Sequence, residues 1–117
     1  MSAVMILKIV VAAATAGTGL LALVSPTAVY GFTGLTASSE RGVSEIRAIF
    51  GGLFIGLGLA ALFLGATAYQ MLGIGYLAIA VARAFSIVFD RSFARSNLIS
   101  LGIEIVFGVI LVIRASG

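Results

Sequence analysis

Residues 45–60 read EIRAIFGGLFIGLGLA. A glutamate and an arginine open an apolar run that carries four glycines. In water each glycine inside a helix costs about 1 kcal/mol relative to alanine, so the stretch makes a poor soluble helix. In lipid the balance differs. Helices surrounded by hydrocarbon gain nothing by hiding apolar surface from the tails. They associate by close packing, which small residues permit. Ala48, Gly52, Gly56 and Ala60 recur every four positions, with Gly51 beside them. This smooth strip is expected to serve helix packing, either within the chain or against a second copy.

The rest of the chain fits the same solvent. Its 117 residues are 62% hydrophobic and 9% charged, against about 25% charged in an ordinary soluble domain. Such a chain cannot clothe a water-facing surface. Four apolar segments, residues 5–24, 45–66, 71–89 and 97–113, each approach the length that crosses a hydrocarbon core. The predicted fold is all-α: one integral membrane four-helix bundle, up-down and antiparallel, with short loops except the first. The first span is read as a retained helix that ends at Ser25-Pro26. The turn between spans two and three is placed near Tyr69-Gln70. Residues 25–44 form the long loop, read as a spacer on the lipid headgroups with Tyr30 and Phe32 at the interface.

Four spans put both termini on one face, here the terminal face. The opposite, hairpin face carries the 1–2 and 3–4 loops and four arginines, Arg41, Arg47, Arg91 and Arg95; Lys8 and Arg114 lie on the terminal face. The positive-inside rule then favours a cytoplasmic hairpin face. The chain has no cysteine and no histidine. That excludes disulfides, thiol chemistry, Cys- or His-built zinc and iron–sulfur sites, and the usual haem ligands. No metal and no cofactor are expected. The basic residues do not cluster in a stripe, so no nucleic-acid partner is expected either.

The few charges inside the spans are the candidate site. Arg83 lies about six residues inside span three from the hairpin face, and Glu104 about seven inside span four. At 1.5 Å per residue both sit roughly 10 Å deep, where a charge is costly unless paired or hydrated. Opposite charges at equal depth on adjacent antiparallel helices predict an ion pair. Arg83, Ser86 and Asp90 share one face of span three; Asn97, Ser100 and Glu104 share one face of span four. With Glu45 and Arg47 entering on span two, the expected intramembrane polar cluster is Glu45, Arg47, Arg83, Ser86, Asp90 and Glu104. A structural clamp that fixes helix register and a ligand, proton or partner site both fit this pattern. Lys8 and Arg114 are read as end anchors.

The stretch SEIRAIFGGLFIGLGLAALFL resembles the signature of a family of small bacterial four-helix membrane proteins, the domain of unknown function 4345 family. The matching residues are Glu45, Arg47, Phe50, Gly51, Gly52 and Gly56, followed by Arg83, Ser86, Asp90 and Glu104. A glycine often follows the aspartate in that pattern, where this chain has Arg91. The resemblance implies a four-span bundle in the bacterial inner (cytoplasmic) membrane and supplies no reaction.

Three functions compete. The expected one is a non-catalytic accessory or structural subunit that packs against a larger membrane complex or forms a homo-oligomer, with membrane lipids as its other partners. The second is a small dimeric transporter or proton-coupled permease using Glu104 and Arg83. The third is a lipid-binding protein or membrane enzyme.

Overall fold

The structure is a computed structural model that describes residues 2–114. Four helices are long and apolar enough to cross a membrane. They are α1 (Ala3–Val24), α3 (Glu40–Leu64), α4 (Ala66–Phe89) and α5 (Arg95–Val112), and a short α2 (Ala28–Thr33) lies in the first loop. The result is an all-α, up-down membrane bundle with extents of 47 × 31 × 17 Å.

Helix ends follow local chemistry. The Ser2 hydroxyl accepts from the Met5 amide at 3.1 Å and starts α1, a side-chain cap of the usual kind. Pro26 prevents α1 from continuing past Ser25. The third helix begins at Glu40, five residues before the expected start of span two. The Ser39 side chain caps it by accepting from the Gly42 amide at 3.1 Å, and Glu40 occupies the first turn. Negative charge is favourable there.

The second turn also differs from expectation. It falls at Gly65, not at Tyr69-Gln70, both of which lie inside α4. Gly65 has φ 87°, a conformation open chiefly to glycine, so one residue suffices to reverse the chain.

Within α3, residues Ile46–Leu53 form a π-helical segment. Its wider turn repeats at i+5, and the buried Ile46 and Gly51 are five residues apart. This rotates the helix relative to a reading in regular α turns. Gly51 and Gly58 face α1. A Cβ on Gly58 would stand 2.7 Å from the Ala16 amide nitrogen, and one on Gly19 of α1 would stand 2.7 Å from the Gly51 carbonyl oxygen. Of the expected strip, Ala48, Gly52 and Gly56 are exposed, and Gly56 has nothing within 4 Å of a Cβ position. The intrachain seam therefore runs through Gly19, Gly51 and Gly58. A second seam joins α4 to α5, where a Cβ on Gly73 would lie 3.0 Å from the Gly108 carbonyl oxygen.

The core is uneven along the bundle. Toward the terminal face, Val11, Ala12, Ala61, Tyr69, Leu72 and Leu111 draw all four long helices together. Toward the hairpin face, Ala22, Val29 and Ile46 join only α1, α2 and α3. There α2 also touches α5, and a cleft lies between α1 and α3 on one side and α4 and α5 on the other.

Candidate functional site

The cleft is a cavity of about 440 Å³. Thr18 of α1, Phe32 and Thr33 of α2, and Phe50 of the π-helical segment line one side; Arg83 of α4 and Ser100 and Glu104 of α5 line the other. A deeper hollow of about 240 Å³, largely apolar but lined also by Thr15 and Tyr76, shares Leu53, Phe54 and Ile79 with it. At that depth the Thr15 and Tyr76 hydroxyls share a hydrogen bond of 2.5 Å between α1 and α4.

Arg83 meets Glu104 in fork geometry. Nε donates to one carboxylate oxygen and Nη2 to the other, each at 2.7 Å. Nη1 donates to the Asn97 side-chain oxygen at 2.8 Å. The Asn97 amide in turn donates to the Ser92 carbonyl oxygen at 3.1 Å and the Ser92 hydroxyl at 3.0 Å. The side chains of Arg83 and Glu104 are 31% and 12% exposed. Parallel charge-assisted bonds of this kind fix both orientation and register. Arginine has five N–H donors, of which the protein engages three, one each from Nε, Nη1 and Nη2. The pair is thus a neutral, oriented dipole with donor capacity left on its guanidinium.

Six residues were expected to form one polar cluster, and the structure distributes them. Arg83 and Glu104 bond directly, and Asn97 and Ser92 complete their network. The Ser86 hydroxyl donates to the Asp90 carboxylate at 2.6 Å on the exposed side of α4. Glu45 pairs with Arg41 at 2.8 Å, one helical turn away and largely exposed. Arg47 donates to the Leu23 carbonyl oxygen at 2.7 Å, a cation on the last turn of α1 where the helix dipole is negative. Residue spacing placed Asn97 on the Glu104 face, which was the signal for its role. Nothing in the spacing pointed to Thr18 and Thr33, because they reach the cleft from α1 and α2.

Lys8 is also not a surface anchor. It is 3% exposed, its ammonium donates to the Leu111 carbonyl oxygen at 2.7 Å, and it stands 5.9 Å from the Tyr69 ring centroid. Among the described residues, no group of three or more His, Cys, Asp or Glu side chains converges as metal ligands do.

Fold and site define a small polytopic helical membrane protein with an intramembrane ion pair on the wall of a lateral cleft. The chain belongs to the family described as a domain of unknown function (DUF4345), whose pattern it matches over residues 3–114. No curated protein and no solved structure matches it.

Proposed function

We propose that this is a non-catalytic integral membrane protein whose cleft receives the polar head and upper chain of a membrane amphiphile. The carrying observation is the cleft itself: an oriented Arg83–Glu104 pair on one wall, hydroxyls at Thr18, Thr33 and Ser100, and apolar and aromatic lining elsewhere. Ligand sites are typically apolar concavities with a few convergent polar groups. The pair carries no net charge, so an uncharged or zwitterionic head suits it better than a strongly anionic one. Proton-coupled transport through Glu104 has weaker support, because Arg83 engages both carboxylate oxygens.

The test is native mass spectrometry of the protein released from membranes, with Ser100→Phe as a plug in the cleft. A discrete amphiphile retained by the parent chain and lost from the plugged one supports the reading. Equal retention by both sinks it.

A second reading has its own observation. Ala48, Gly52 and Gly56 present a smooth, exposed face of α3, and such faces admit close helix approach in lipid. An accessory or structural subunit of a larger membrane complex, or a homo-oligomer, uses that face. In either reading the protein sits in a bacterial inner membrane with its hairpin face cytoplasmic, supported by the excess of arginines there.

A further inference from the structure

The terminal face holds a charge imbalance that the cleft does not explain. Lys8 is buried about one and a half turns into α1, yet among the described residues its ammonium meets only the Leu111 carbonyl oxygen and the face of Tyr69. An ammonium has three donors, and a buried cation is costly without an anion. The chain has four carboxylate side chains. Glu40 starts α3 and Glu45 pairs with Arg41, both at the hairpin face. Asp90 accepts from Ser86, and Glu104 is held by Arg83. Among the described residues no carboxylate meets Lys8.

Beside Lys8 lies a cavity of about 460 Å³, lined also by Thr67, Tyr69, Gln70 and Arg114. Among the described residues, two cations and no carboxylate line it. Thr67 and Gln70 add polar groups from the first turns of α4. That helix begins at Gly65 with no side-chain cap, so free backbone N–H groups open nearby, an arrangement that favours anions.

We infer that this cavity binds the phosphate of an anionic lipid headgroup, with Lys8 and Arg114 as its charge partners. The phosphodiester oxygens supply the missing counter-charge. The site's position at the bilayer surface, between α1, α4 and α5, is where headgroups lie, and basic residues there attract anionic lipids.

The experiment is thermal unfolding of the full chain in detergent with added dioleoylphosphatidylglycerol, dioleoylphosphatidylcholine or inorganic phosphate. Phosphatidylglycerol should raise the midpoint by several degrees more than phosphatidylcholine. Arg114→Gln, at an exposed position, should remove much of that preference, and Lys8→Met should remove the rest. Equal shifts from the two lipids, or a preference unchanged in Arg114→Gln, overturns the site. Inorganic phosphate matching the lipid overturns the headgroup as its source. Ser100→Phe should leave the phosphatidylglycerol preference intact, which separates this site from the cleft.

Discussion

At the scale of single residues, the Arg83–Glu104 pair gives the sharpest expectation. Each partner is held mainly by the other, so removing one strands a partly buried charge. Arg83→Ala should cost about 3 kcal/mol, and Arg83→Ala combined with Glu104→Ala should cost clearly less. Chemical denaturation in mixed micelles measures both; equal losses refute the coupling. Arg91 gives a smaller effect of opposite sign. It has φ 55°, and the Ser92 amide donates back to the Ile87 carbonyl oxygen at 3.0 Å. That is a helix-ending motif whose left-handed position usually holds glycine. Arg91→Gly should therefore stabilise the turn by about 1 kcal/mol, read by the same denaturation. The ion pair was legible because opposite charges at matched depth have few alternatives in lipid. The burial of Lys8 was not legible, since a lysine near a helix end ordinarily reaches for water. Its acceptor, Leu111, is 103 positions away in the chain.

At the scale of the helix, the π-helical segment decides which glycines matter. A strip drawn at four-residue spacing through α3 assumes α turns throughout, and the wider turns at Ile46–Leu53 turn that strip away from α1. Gly58→Ala pushes a methyl group against the α1 backbone and should destabilise by about 1–3 kcal/mol. Gly56→Ala meets nothing and should leave the melting temperature unchanged or slightly raised, through helix propensity. Comparable losses from both substitutions contradict this packing. Gly56→Leu adds a second readout, because it should release a protein partner or second copy from the α3 face while the bundle still folds. The existence and order of the four spans came directly from hydrophobic length. Their ends depended on features that length does not report: the Ser39 cap, the single-residue break at Gly65, and a π turn that no composition pattern marks.

At the scale of the molecule, the four long helices are joined at one end and divided at the other. The shared core near Val11, Tyr69 and Leu111 ties the bundle together toward the termini, while beneath the hairpin loops a cleft lies between the two helix pairs, with α2 touching both α1 and α5. Sidedness is testable because the chain has no cysteine of its own. Single replacements Ser44→Cys and Ala66→Cys place one thiol near each face. In intact cells an impermeant maleimide should label Ala66→Cys and spare Ser44→Cys; the reverse pattern inverts the proposed orientation. The sequence could not announce the cleft, because it depends on how two helix pairs diverge and on α2 settling between them.

That divergence has a mechanical consequence. The protein presents unlike ends to the two leaflets: α2 and the cleft lie at the hairpin end, and the four-helix core and the cavity of about 460 Å³ lie toward the terminal end. A tapered inclusion is most comfortable where the bilayer bends to match it. In vesicles of graded diameter, a bias of the chain toward one size would report which end is broader, and an even distribution would mean that the two ends are matched.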